Sequence, residues 1–558
     1  MPSLKPRIKA TDPQKVFHYT DLQRTKPTRE EDPYEYLAGW GNRHQSEVIP
    51  GALPIAQNNP QDRGFGLYTE GITYSYFAAP RAHNTFIYMY RARPSAVHNG
   101  YKPIQTKSHI ENCFLSLNKE VEPLPQQAEW SPFPLPTEDE KIDFTDGHHT
   151  LAGSGDPNLR EGIALYVYMI NQSMPNKAYC NTDGDYLFTP QLGNLDVTTE
   201  MGKIFLQPGE IMVIPRGVRF AINLAPGTTV ARGHICEIWG AKWELPDLGP
   251  LGGHGLANAR DFLYPVAAID DDLHQDYEIL VKTNGKLSKI EQNHSPFDVV
   301  AWHGNCVPYK YDLTKFASQN ATTVDHTDPS INTVLTARSH DPHVSLVDYL
   351  WFGPRWDVAS NSFRLPWFHR NSASELLACI YGNGLGRSDD FQPGGCSYEG
   401  GHTPHGNFSD DYVEETKLQE NEPRRILEHQ MTIMVETCRT LLFTEYALKI
   451  CGVVHTQGTD PKVWDNLPDH FSSHPLTKQL LARVKEEKEA EKKRIEYYHS
   501  LDLIAGRPDL KDCIIAAEAP APSPAPLENG KSNGNGVIEK LKEIVISNGN
   551  EGVAVNGN

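Results

Sequence analysis

This 558-residue sequence predicts an all-β protein of two domains, followed by a C-terminal helical and then disordered extension. Three observations lead there. From residue 34 to about 312, short β-branched or aromatic runs (TFIYMY at 85–90, IALYVY at 163–168, IMVI at 211–214) stand between Gly- and Pro-rich turn signals, the pattern of an antiparallel sandwich or barrel. The same texture resumes after residue 313, with VSLVDYLWF at 344–352 and MTIMV at 431–435. No helical period runs long enough for a βαβ fold, and neither GxGxxG nor a P-loop occurs.

Taken in order, residues 1–33 are polar and charged and are expected to form a loosely held leader. Residues 34–312 are expected to form an N-terminal β domain. Its segment 208–217, PGEIMVIPRG, is a PG-x₅-PxG turn of the kind found in cupin (jelly-roll) barrels. Where metal-binding cupins place a histidine, this segment continues with Arg219 and Phe220. The preceding strand (Asp185, Tyr186, Leu187, Phe188) brings no His or Cys pair, so this domain is expected to be structural, without a metal. Residues 313–470 are the expected catalytic cupin domain. Residues 471–515 contain a charged helix with a narrow apolar stripe, LTKQLLARVKEEKEAEKKRIEYYH at 476–499. Residues 516–558 turn to Ala/Pro and then Asn/Gly, too poor in apolar surface to offset chain entropy, and are expected to be disordered.

Charge narrows the function. With 52 Lys+Arg against 71 Asp+Glu the net charge is −19, which argues against nucleic acid or an anionic membrane surface as a partner. No apolar run approaches a membrane span, and the opening residues lack the apolar core of a signal peptide. Nine cysteines are scattered singly, with no CxxC, as in a reduced compartment. A soluble, cytoplasmic enzyme is the expectation.

The chemistry concentrates at 363–407. FRLPWFHRNSASELLACIYG leads through a Gly-rich loop to GGHTPHGN, offering His369, Glu375 and His405. Two imidazoles and one carboxylate are the ligand set of a non-haem Fe(II) site that leaves positions open for substrate and O₂. Six residues between His369 and Glu375 exceed one helical turn. They fit a strand end, a turn through 371–374 and a return strand from Glu375 to Ile380, with His405 arriving from a Pro/Gly-framed loop. Metal cupins often carry H-x-H-x₃-E; here Asn371 replaces the second His, so three protein ligands remain.

Long stretches then make the sequence familiar: AQNNPQ at 56–61, DGDYLFTPQLGNL at 183–195, ELPDLGPLGGHGLANARDFLYP at 244–265, SPFDVVAWHGNCVPYKYDL at 295–313, DHTDPSINTVLTA at 325–337, then WFHRN and TPHG. From residue 34 to about 448 the chain resembles the homogentisate 1,2-dioxygenase family. The resemblance implies a two-domain cupin-type fold, a homo-oligomer (trimer or hexamer), Fe(II) held by His369, Glu375 and His405, and His303 as acid–base. It also implies the reaction: a para-dihydroxylated ring is opened with O₂, homogentisate giving maleylacetoacetate, in tyrosine and phenylalanine catabolism.

The chain departs from that family in the substrate loop. Ungapped, Gly384 stands where the family has a Tyr and Glu399 where it has a His; the Arg three residues before that Tyr is Tyr381 here. A carboxylate at Glu399 would repel that of homogentisate unless protonated or paired. His402 is the nearest imidazole that could substitute, so Gly384, Glu399, His402 and His405 are the candidate substrate contacts. Two alternatives stay open: a paralogue cleaving another hydroquinone, and a catalytically silent cupin acting in assembly or binding. Arg364, Arg370, Tyr309, Lys310, Tyr311 and His326 are read as structural.

Overall fold

The computed structural model describes residues 29–500 except 56–58, 62–63, 249–254, 320–331, 358–366, 383–387, 389, 418–422 and 456–460. Gly384, Arg364 and His326, like the tail expected to be disordered, lie outside the described residues. Strands dominate, and the architecture is all-β as the turn-punctuated runs predict: sheets of ten, seven, eight and four strands and one two-stranded pair. The expected segments become strands with edges moved by a residue or two: Phe86–Arg91, Glu161–Ile170, Glu210–Ile214, Ser345–Phe352, Ser374–Tyr381 and Met431–Thr437. The PG-x₅-PxG segment folds as strand Glu210–Ile214 between Gly209 (φ +93°) and Gly217 (φ +83°), backbone angles that favour glycine. Arg219 donates to the Gln292 side chain and the Ser95 carbonyl, each at 3.2 Å.

Met1–Leu467 forms one compact unit, and the boundary expected near residue 312 falls inside it. The two halves exchange strands. Ala128–Trp130 joins the eight-stranded sheet beside Cys396–Glu399, while Leu442–Thr444 joins the ten-stranded sheet beside His148–Asp156. Fully buried Trp130 fixes the exchange: its indole donates to the Ala447 carbonyl at 2.8 Å and stacks on Phe443.

Residues 29–34, placed by sequence mostly within a loosely held leader, are anchored. Arg29 pairs with Glu210 at 2.6 Å and Asp312 at 2.9 Å, Asp32 with buried Lys310 at 2.5 Å, and the Tyr34 hydroxyl donates to Asp196 at 2.7 Å. Polar composition suggested looseness because the partners lie far along the chain. In the second unit, from Pro468, the charged helix forms as Pro475–Ser500.

The eight-stranded sheet is buried on both faces. One carries Leu376, Ala378, Ile380, Ile433, Val435 and Tyr398 into the main core. The other carries a separate small cluster of Leu350, Leu377, Cys379, Phe391 and Met434. Side chains alternate along a strand, so Glu375 shares this second face with Leu377.

Candidate metal centre

His369 and His405 are brought together by their own backbones. Each amide donates to the other's carbonyl, at 2.9 and 3.0 Å, a reciprocal antiparallel bridge that sets both side chains on one side. The rings lie 4.2 Å apart. Gly406 permits the approach, since a Cβ there would stand 2.4 Å from the Phe368 ring. Glu375, second residue of strand Ser374–Tyr381, completes the group: the candidate ligand atoms of His369, Glu375 and His405 all lie within 4.8 Å of one another. Among the described residues no other group of three or more His, Cys, Asp or Glu converges this way.

Both imidazoles are turned for coordination. His369 Nδ1 donates to the Trp367 carbonyl at 2.7 Å and His405 Nδ1 to the Thr403 carbonyl at 2.8 Å. Nε2 is thereby the free lone pair in each ring, the tautomer a metal requires. His405 Nε2 is buried without a hydrogen-bond partner, 3.6 Å from Glu375 Oε2. Asn371 Nδ2 donates to Glu375 Oε1, so the residue read as a lost ligand orients the carboxylate instead. A metal bonded at about 2.1 Å sets its donors roughly 3 to 4 Å apart, and the three groups stand near that spacing. The donor set fits.

The charges agree. Burial works against the charge of Glu375, yet His405, Asn371 and His369 hold its carboxyl below the ordinary range. Burial likewise disfavours a charged His405, but Glu375 outweighs it and raises that imidazole. Cross-strand register extends the acidic character: Glu375 lies opposite Glu399 on one side and Glu436 on the other, and Glu436 opposite Asp348. Burial, then the neighbouring Glu375 and Asp348, pushes Glu436 up to about 8. Sequence reading missed Asn371 in this role, Glu436 and Asp348. An acid directly following the run MTIMV at 431–435 was the available signal.

Other candidates fall differently. Glu399 is 1% exposed and its charge reaches His405, so it belongs to the site and not to the surface. His402 is not brought to the triad. It is exposed, in the left-handed region (φ +61°), and its amide donates to the Asn371 carbonyl at 2.7 Å, closing the turn before His405. His303 lies in the four-stranded sheet, on strand Val299–Gly304, its ring beside those of Tyr88 and Tyr90 and its Nε2 3.2 Å from the Tyr90 hydroxyl. Burial lowers its pKa, favouring the neutral base. Among the described residues no hydrogen bond or ring contact joins His303 to the triad.

Residues 35–313 match the homogentisate 1,2-dioxygenase N-terminal domain and residues 314–471 the C-terminal domain. The chain belongs to the homogentisate 1,2-dioxygenase family. Homogentisate 1,2-dioxygenase of Arabidopsis thaliana is 42% identical over 462 residues, 82% of this chain and 98% of the relative. The Homo sapiens enzyme of that name is 42% identical over 442 residues, 78% of this chain and 97% of the relative. That of Emericella nidulans is 40% identical, over 79% and 96%. The solved structure of AerE from Microcystis aeruginosa aligns at 10% identity and a TM-score of 0.23, over 57% of this chain and 99% of that one, too distant to bear on function. The family match meets at 313/314, beside strand Tyr309–Asp312, and leaves the unit from Pro468 almost wholly outside it.

Proposed function

We propose that this chain is a ferrous, ring-opening dioxygenase that cleaves a para-dihydroxylated aromatic of the homogentisate type with O₂, between a hydroxyl-bearing carbon and the neighbour bearing the side chain. One observation carries the reading: two carbonyl-locked imidazoles and an Asn-held carboxylate converge within 4.8 Å, inside a chain of this family. Bound there, Fe(II) would supply a Lewis acid for the substrate phenol and a redox route to O₂.

The chain's own groups do the rest. His369, Glu375 and His405 would hold the ion and leave positions open. The Trp367 and Thr403 carbonyls and Asn371 keep those ligands aimed. Leu350, Leu377, Met434 and Phe391 supply an apolar surface on the same face for an aromatic ring. His303, neutral by burial, is the proposed proton acceptor for the phenol. The homo-oligomer, trimer or hexamer, belongs to the same reading; adjacent Tyr76 and Phe77, 74% and 93% exposed, are surface a second copy would cover. No described helix is long and apolar enough to cross a membrane; a cytoplasmic site is proposed with the enzyme.

The test is O₂ consumption by purified protein loaded anaerobically with Fe(II), using homogentisate and other para-diphenols. Turnover that disappears in Glu375→Ala and His405→Ala supports the proposal. Stoichiometric iron with no O₂ uptake on any para-diphenol, or activity that survives loss of those ligands, refutes it.

A further inference from the structure

Helix Pro475–Ser500 lies wholly beyond residue 471, where the family match stops, so the ring-opening reading gives it no role. Its sequence carries a regular seam. Leu481, Val484, Lys488, Glu491, Ile495 and Tyr498 follow one another at alternating steps of three and four, the a/d spacing of a coiled coil, and the same spacing reaches back to Thr477. The apolar members stand open to solvent: Leu481 is 47%, Val484 36% and Ile495 41% exposed. Leu480, on the same face, is exposed too. A helix in water draws most of its stability from burying such a stripe. Beside the seam, charges pair along the helix, Arg483 with Glu487 at 3.5 Å and Lys492 with Glu496 at 4.0 Å.

Lys488 and Glu491 interrupt the apolar run, and their placing identifies what covers it. In a parallel pair in register each seam residue meets its own copy, Lys488 against Lys488 and Glu491 against Glu491. In an antiparallel pair each a position meets a d position instead. With the two-fold axis between residues 489 and 490, Lys488 of each copy meets Glu491 of the other, Val484 meets Ile495, and position 481 comes level with 498. The seam is self-complementary only when reversed, with two ion pairs at its centre and apolar layers at both ends. Like charges buried at a seam cost far more than exposed flanking pairs return, so the central layers set the orientation. Glu491 also stands 3.9 Å from Arg494 on its own helix, an exposed pair that contributes little.

We infer that helix Pro475–Ser500 pairs antiparallel with the same helix of a second copy of this chain, through Val484, Ile495 and reciprocal Lys488–Glu491 contacts. The interface lies outside the domains shared with the family, and the inference stands apart from the proposed ring opening. Charged layers at a seam fix register and orientation at a cost in stability.

The test uses the full chain carrying Val484→Cys and Ile495→Cys together, mildly oxidised, with disulfides mapped by peptide mass spectrometry beside the oxidised wild type. Along one helix the two positions are about 16 Å apart, beyond disulfide reach within a chain. The expected product links position 484 of one chain to 495 of another. Adding Lys488→Glu should lower its yield at least about threefold, since two acids then meet in each central layer, and adding Glu491→Lys instead should do the same with two ammonium groups. Mixing those two variant chains should restore the yield, because acid again faces ammonium in both layers, a rescue that no contact within one helix can give. Circular dichroism checks that helix content is unchanged throughout. Links from 484 to 484 and from 495 to 495 overturn the inference in favour of a parallel pair, and links to other parts of the chain in favour of docking there. Absence of any link above the wild type, or a yield indifferent to both charge reversals, overturns it outright.

Discussion

Replacing Asn371 by alanine removes a single interaction at the triad. The side-chain amide donates to Glu375 Oε1, while the main-chain carbonyl of Asn371 separately accepts from the His402 amide at 2.7 Å, so the turn survives the substitution. A hydrogen bond to a charged acceptor contributes about 1.5–3 kcal/mol. Removing an outer partner of a metal ligand costs about 10–100-fold in metal affinity, the equivalent of about 1.4–2.7 kcal/mol. The two routes agree, because both measure how well one carboxylate is held. The assay is anaerobic Fe(II) competition against a chromogenic chelator, with thermal unfolding of the metal-free variant as the control for folding. An unchanged metal dissociation constant in a variant that folds normally would refute the argument that Asn371 aims the ligand. Asn371→His supplies the converse: an imidazole on the carboxylate side offers a fourth donor, so metal binding should tighten while O₂ uptake falls, because an open position is taken.

Other perturbations reach the scaffold and the bridge. Lys282→Met should lower stability by about 3–5 kcal/mol in urea unfolding, because fully buried Glu237 would lose the ammonium 2.8 Å from its carboxylate; adding Glu237→Gln should recover much of the loss, and no recovery would refute the pairing. Burial lowers His148 and His234 to about 3, so both stay neutral in the folded state while the unfolded chain protonates near 6.5. Their contribution is intact above pH 6.5 and declines as pH falls toward 3, by about 2 kcal/mol each between pH 6.5 and 5; stability flat over that window would refute it. Gly406→Ala should cost about 1–3 kcal/mol by overpacking, displacing Phe368 and with it the His369–His405 bridge; unaltered metal affinity in this variant would show that the bridge tolerates the methyl.

What could be read from the sequence was what is encoded locally. The run from Glu375 to Ile380 announces its strand by its apolar residues, and the observed Ser374–Tyr381 differs by one residue at each end. The three ligands stand out by residue type within 37 positions, and the structure draws their donor atoms together. The acidic row was not legible, because it depends on register among strands drawn from 345 to 437. Glu399 reads as a candidate substrate contact, but nothing local shows that it pairs opposite Glu375. His402 is a candidate substrate contact by sequence, and nothing local announces the left-handed backbone it takes in its turn. Nor does the three-residue strand Ala128–Trp130 carry any local sign that it will pair with Cys396–Glu399, more than 260 residues away; such non-local pairings are what sequence patterns leave open.

The two halves handle buried acid in opposite ways, and the contrast bears on the metal. In the N-terminal half, Glu237 has both oxygens engaged: Oε1 by Asn181 at 2.6 Å and Lys282 at 2.8 Å, Oε2 by Lys282 at 2.8 Å and the Tyr166 hydroxyl at 2.5 Å. A lysine supplies the positive charge, so no cation is called for. The row of Asp348, Glu436, Glu375 and Glu399 has no such residue on its own strands, and at Glu436 burial, then the neighbouring acids, opposes ionisation. A divalent cation at the triad would relieve that repulsion as well as fill the ligands. Saturating metal should therefore raise the unfolding temperature, with about 2.7 kcal/mol expected at a hundredfold excess over the dissociation constant. The increment should vanish in His369→Ala, which removes a half-exposed ligand while leaving the acidic row in place. If metal stabilises that variant as much as the wild type, the ion is held elsewhere, and the acids of this face are balanced by some other means.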